Sequence, residues 1–125
     1  MRGESSRRAG ALVTLLIGAN SVAGPGPVPF ADLVLITGPD SPRSLAPADI
    51  DGDGDLDLFV ASSGDHRIAW LQNNGLAPPG FTHRLITGAA TGAQHVVAAD
   101  INGDGRIDAV SAAFGANRVS WHENI

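Results

Sequence analysis

The sequence has no cysteine, no lysine and no tyrosine, a single methionine, and few aromatic residues (5%). Without cysteine there is no disulfide scaffold, no cysteine-ligated zinc site, no thiol nucleophile and no lipid-anchored cysteine. Basic residues are scarce too. Eight arginines face 13 acids, for a formal charge of −5 and a pI near 5.1, which argues against nucleic acid as a partner, because neutralising phosphates takes a basic face. The apolar run Ala9–Ala19 stops at Asn20 and Ser21, well short of the about 20 residues a membrane-spanning helix needs. What is abundant is turn chemistry: 16 glycines and 8 prolines, about a fifth of the 125 residues. At 43% hydrophobic the chain is not disordered by composition, and its length suits one domain or less. Together these features predict an acidic, all-β chain.

Met1 to Ala23 read as a secretory signal peptide. Arg2, Arg7 and Arg8 make the basic start, Ala9–Ala19 the apolar stretch, and Ser21-Val22-Ala23 the small-residue cleavage site. Residues 24–29 (GPGPVP) form a Pro/Gly linker that can join neither helix nor sheet. Cleavage after Ala23 leaves five bases against twelve acids, a charge of −7, so the acidity belongs to the mature chain. That chain is expected to be secreted, extracellular or periplasmic, with no membrane span.

The remainder is one unit written twice. Phe30 recurs as Phe81, Asp49 as Asp100, Gly64 as Gly115, Arg67 as Arg118, Trp70 as Trp121 and Asn73 as Asn124, all at an offset of 51. Ile36-Thr37-Gly38 recurs as Ile86-Thr87-Gly88 at an offset of 50, which puts a one-residue length change in the loop that follows. The units occupy residues 30–74 and 81–125, joined by a turn-like linker, residues 75–80 (GLAPPG). Each reads as four short strands. In order they are Leu33–Ile36 or Arg84–Ile86, a strand entering an acidic loop (clearest at His95–Ala99), Leu56–Ser62 or Ile107–Ala113, and Arg67–Leu71 or Arg118–His122. Four strands in about 50 residues is the size of a propeller blade.

The acidic loops carry the chemistry. Asp49-Ile50-Asp51-Gly52-Asp53-Gly54-Asp55-Leu56-Asp57 and Asp100-Ile101-Asn102-Gly103-Asp104-Gly105-Arg106-Ile107-Asp108 both fit D-x-[DN]-x-D-G-x-x-D. Five carboxylates within nine residues repel one another unless a cation sits among them. A Ca²⁺ ion takes six to eight oxygens at about 2.3–2.6 Å, and alternate oxygen side chains on a tight loop supply them. Glycine at position 6 permits the turn. Position 7 needs to offer only its carbonyl, which is why Asp55 and Arg106 can exchange there. With neither cysteine nor histidine in the loops, the oxygen donors suit Ca²⁺ better than Zn²⁺, and Mg²⁺ is disfavoured because it keeps its waters. Ile50, Ile101, Leu56 and Ile107 are expected to anchor the loops on the core. An EF-hand is excluded, since Val60 and Ser111 stand where its bidentate glutamate belongs.

With the Ile-Thr-Gly strand, the aspartate loop and the Trp-x-x-Asn ending (Trp70 to Asn73, Trp121 to Asn124), the chain resembles the FG-GAP/VCBS repeat family over nearly all of residues 30–125. The resemblance implies two four-stranded antiparallel β-propeller blades with one calcium loop each. Carried over by position, the ligands fall on Asp49, Asp51, Asp53, Asp57 and the Asp55 carbonyl, and on Asp100, Asn102, Asp104, Asp108 and the Arg106 carbonyl. Uncharged Asn102 makes the second site the weaker. Propellers close with about 4–8 blades, so two blades form a partial propeller. Missing sequence is the favoured source of the others, and other copies of the chain the alternative.

The remaining residues read as structural. His66, His83, His95 and His122 are scattered and expected at the surface or in packing, Trp70 and Trp121 in the core, and Arg67 and Arg118 near the loop carboxylates. No nucleophile elbow, phosphate loop or acid–base pair is present. The expected function is therefore a secreted, calcium-stabilised propeller module for adhesion or for binding a protein or glycan surface, not an enzyme. The alternative is an accessory or catalytic propeller of a secreted polysaccharide-degrading enzyme.

Overall fold

The computed structural model describes Ala31, Leu35 and residues 37–125. The signal peptide and linker expected over residues 1–29 lie outside the described residues, as does all of the expected Leu33–Ile36 strand except Leu35. The chain divides into two compact units, Met1–Leu33 and Val34–Ile125. All the described secondary structure belongs to the second.

Seven strands follow one another: β1 (Pro42–Ala48), β2 (Asp57–Ser62), β3 (Arg67–Asn73), β4 (Phe81–Thr87), β5 (Ala93–Ala99), β6 (Asp108–Ala113) and β7 (Arg118–His122). A single 3-10 turn, Phe114–Ala116, precedes β7, and no α-helix occurs among the described residues. The strands form two antiparallel sheets, ordered β1-β2-β3-β4 and β5-β6-β7. The all-β expectation is met, with one difference in phase. β4 opens the second sequence repeat yet pairs with β3, which closes the first, in the register Trp70↔Arg84 and Leu71↔His83. The sheets are thus offset by one strand from the sequence repeat, and the second shows three strands rather than four. No closed propeller forms among the described residues.

The sequence explains each strand's place. β2 is an almost unbroken buried run, as befits a strand paired on both sides. β3 mixes buried and half-buried positions. β1 carries Pro42 and Pro47 and lies at the sheet edge, where a residue without an N–H is tolerated. β1 and β5 both show a register shift at the same place in the repeat, between Pro42 and Ser44 and between Ala93 and His95.

The sheets bury a common core. The first contributes Ala46, Phe59, Ala61 and Ile68 with Ile50 from its loop, and the second contributes Ala93, Val96, Ala109 and Ala113 with Ala90 from the connecting segment. Many of these are alanines, so the sheets approach closely and the large side chains on one side, Phe59 and Ile68, meet small ones on the other. Burying each large side chain contributes about 1.5–3 kcal/mol. This packing holds the β1–β2 and β5–β6 loops in place, and those are the two acidic loops.

Candidate metal centre

Each acidic loop is built around its first and last aspartates. In the first, Asp49 leaves β1 and folds its carboxylate back over the loop, accepting from Gly52 N–H at 2.8 Å and Gly54 N–H at 3.0 Å. In the second, Asp100 accepts from Gly103 N–H at 2.7 Å, Asp104 N–H at 3.1 Å and Gly105 N–H at 2.8 Å. The chain can wind this tightly because positions 4 and 6 are both left-handed: Gly52 and Gly103 have φ of 77° and 78°, Gly54 and Gly105 96° and 88°. The sequence pattern called for glycine only at position 6. The glycine at position 4 of both loops was the signal that a second left-handed residue is needed.

Position 9 closes the loop from beneath. Asp57 and Asp108 open β2 and β6 and are fully buried. Asp57 accepts from Ile50 N–H at 3.2 Å and from Asn73 N–H at 2.7 Å, and Asp108 accepts from Ile101 N–H at 3.1 Å and Asn124 N–H at 2.8 Å. The asparagine that ends each Trp-x-x-Asn motif completes the clamp. Asn73 Nδ2 donates to the Leu56 carbonyl, and Asn124 Nδ2 donates to the carbonyls of Ile107 and, across the two loops, Ile50. Hydrogen bonds to the charged form, from Asn124 N–H first and then Ile101 N–H, hold the Asp108 carboxyl below its usual range against the opposing effect of burial.

The first loop brings carboxylate oxygens of Asp49, Asp51 and Asp57 within 4.8 Å of one another. Asp53 and Asp55 are not part of that cluster. Asp53 Oδ1 accepts from Asp55 N–H at 2.9 Å, which lowers its pKa. Desolvation and the neighbouring Asp51 and Asp55 charges outweigh this, and the Asp53 carboxyl sits above its usual range. Gln72 Nε2 donates to Asp51 Oδ2 at 2.7 Å and Arg84 Nε to Gln72 Oε1 at 2.6 Å, so β3 and β4 steady the first loop.

The second loop differs. Asn102 Nδ2 donates to Glu123 Oε1 at 2.8 Å and to Asp104 Oδ2 at 3.3 Å. The Arg106 guanidinium pairs with Asp104 at 3.1 Å and donates to the Asn124 carbonyl. Two residues of the loop itself thus supply donors to Asp104. The loops are neighbours, and Asp49, Asp51, Gly105, Arg106 and Asn124 line a cleft between them.

Other expectations divide. Ile50 is buried and Ile107 packs against the core, but Ile101 and Leu56 are exposed, so only one apolar residue per loop serves as an anchor. Arg67 pairs with Asp65 and Arg118 donates to the Ala89 carbonyl. Neither reaches a loop carboxylate, because both sit at the opposite end of their strands. His66, His95 and His122 hydrogen-bond to Gly92 N–H, Ser44 Oγ and Ser111 Oγ, and His83 is exposed. Trp70 is half-buried under the Arg84 guanidinium, 5.5 Å from the ring centre. Trp121, expected in the core, is exposed.

A family model described as FG-GAP-like repeat matches residues 49–111, just over half of the 125 residues and both acidic loops. Comparison with curated proteins and with solved structures gives no match.

Proposed function

The chain belongs to the FG-GAP-like repeat family, and from that membership we propose that it is a secreted β-propeller repeat protein whose aspartate loops hold structural Ca²⁺. Its two sheets act as blades that meet further blades and present a surface to a protein or glycan in adhesion. This is a binding and structural role, not catalysis. The observation that carries the reading is the convergence of Asp49, Asp51 and Asp57 in a loop whose two left-handed glycines and buried aspartate preset its shape. The donor set is all oxygen, as a hard cation requires. Asp53 and the Asp55 carbonyl would complete the first site. Asp100, Asn102, Asp104, Asp108 and the Arg106 carbonyl would form a second, weaker one.

Bound calcium would tie each loop to the strand ends that already clamp it, so stability should follow free ion concentration. At about 100 times the dissociation constant the gain is about 2.7 kcal/mol per site. The test is a thermal melt of the chain with calcium and then with chelator. A melting temperature that rises with calcium, and less with magnesium, is expected. A folded chain whose melt ignores calcium would sink the metal reading.

A further inference from the structure

The two acidic loops belong to different sheets, yet one side chain holds both. An asparagine amide carries two N–H donors, and Asn124 places one on each loop. Its Nδ2 donates to the Ile107 carbonyl of the second loop and to the Ile50 carbonyl of the first, both at 3.1 Å. The repeat marks the bond to Ile50 as an addition. Asn73, the equivalent of Asn124, makes the bond to its own loop, Nδ2 to the Leu56 carbonyl at 3.0 Å. Among the described residues its amide reaches no other loop, and no asparagine reaches the carbonyl of Ile101, the equivalent of Ile50. The clamp within a repeat is written twice and the bridge between loops once.

Each end of the bridge leads to the residues that converge in the loops. Ile50 is buried between Asp49 and Asp51 in the chain. Its N–H donates to Asp57 at 3.2 Å and its carbonyl accepts from Asn124, so the peptide units on both sides of it are fixed. Because a peptide unit is planar, a held Ile50 carbonyl also sets the direction in which Asp51 leaves. Asp49, Asp51 and Asp57 are the three residues whose oxygens come together. At the other end, Asn124 N–H donates to Asp108 at 2.8 Å and its carbonyl accepts from Arg106 Nε at 2.9 Å. The same guanidinium pairs with Asp104 at 3.1 Å, and neighbouring Glu123 accepts from Asn102 at 2.8 Å. Asn102, Asp104, Arg106, Ile107 and Asp108 thus all lead to residues 123 and 124.

We propose, resting on the calcium reading of the loops, that Asn124 couples them: it is a positioning residue for the first loop supplied by the second repeat, and through it the filling of either loop raises the affinity of the other. With the second loop filled, the backbone around Arg106 and Asp108 is fixed, and Asn124 with it. Asn124 then holds the Ile50 carbonyl with less further loss of freedom, so part of the ordering of the first loop is complete before that loop is filled. Linkage makes the effect reciprocal. Charge works the other way, since filling one loop removes negative charge near its neighbour. That opposing effect is screened beyond about 8 Å at about 0.15 M salt, whereas a chain of hydrogen bonds is not.

The test is a calcium titration of the isotope-labelled full chain at about 0.15 M salt, with the amide NMR signals of Gly54 and Gly105 reporting the first and second loop separately. Both N–H groups are held by the first aspartate of their own loop. Asp104→Asn, which weakens the second loop, is expected to lower the calcium affinity of the first loop too, by about fivefold or more. Asp53→Asn in the first loop should weaken the second by the same route. In Asn124→Ala, which keeps the backbone bonds to Asp108 and Arg106, both loops should still bind calcium, but Asp104→Asn should no longer reach the first. Asn73→Ala removes the equivalent amide without touching the bridge and should leave the coupling intact; a merely structural role would give both variants the same loss. If Asn124→Ala does not keep the wild-type strand content by circular dichroism, Asn124→Ser takes its place, since a single hydroxyl can donate to only one loop. Wild-type loops that bind calcium independently, or a coupling that survives loss of the Asn124 amide, would overturn the proposal and leave the calcium reading standing. Glycine signals that ignore calcium would overturn both.

Discussion

Among single residues, Asp57 and Asp53 separate two roles that the motif writes with the same letter. Asp57 is fully buried and satisfies the backbone N–H groups of Ile50 and Asn73, so its first duty is to the fold. Replacing it with alanine strands those donors, at about 1–3 kcal/mol for each one left buried. Asp57→Ala should therefore melt lower than wild type even in chelator. Asp53 is exposed, lies outside the Asp49–Asp51–Asp57 cluster, and has its carboxyl pushed up by desolvation and then by its acidic neighbours, against the Asp55 N–H hydrogen bond. Asp53→Asn keeps an oxygen for the Asp55 N–H and removes one charge from a crowded loop. Its melt in chelator should match or exceed wild type, while the calcium-induced rise shrinks. Equal losses in both variants with and without calcium would mean that Asp53 is structural as well.

At the level of the elements, the second loop keeps the winding of the first but changes two of its acidic side chains. Asn102 and Arg106 supply donors to Glu123 and Asp104 where the first loop has only acids. Asn102→Asp turns those hydrogen bonds into like-charge contacts. In chelator the variant should melt below wild type, and with calcium the gap should close, with tighter binding at the weaker site by calorimetry. Unchanged calcium binding would show that Arg106, not Asn102, limits the site. The loops and the strands after them were legible in the sequence, because the acid spacing, the glycine turns and the aliphatic runs of β2 and β6 are local signals. A strand entering each acidic loop was expected, but the bounds of β1 were blurred by Pro42 and Pro47, which an edge position tolerates. The pairing of β4 with β3 was hidden for a different reason: a repeat gives the length of the unit but not the point at which a sheet is cut. The exposure of Ile101, Leu56 and Trp121 also escaped the sequence, since equivalent residues in two repeats meet different neighbours.

For the molecule as a whole, the response to acid sums groups that titrate in different ranges, and two of them can be separated. His122, on β7, has its pKa lowered first by burial and then by the nearby Arg118 charge, and its Nε2 lies 2.9 Å from Ser111 Oγ. The folded chain thus binds this proton less readily than the unfolded chain. Stability is fully present above the ordinary histidine value of 6.5 and falls as the pH drops below it, until the folded form also protonates. Asp108 is shifted the same way from a lower start. Its contribution is present above the ordinary aspartate value of 3.8 and is lost as the pH falls through its depressed folded value. Melting temperature against pH, in chelator to keep metal binding out of the curve, should therefore decline in two stages. His122→Gln keeps an acceptor for the Ser111 hydroxyl but cannot take up the proton, so it should flatten the stage just below pH 6.5 and leave the stage below 3.8 in place. If the upper stage survived in the variant, His122 would be a packing residue alone.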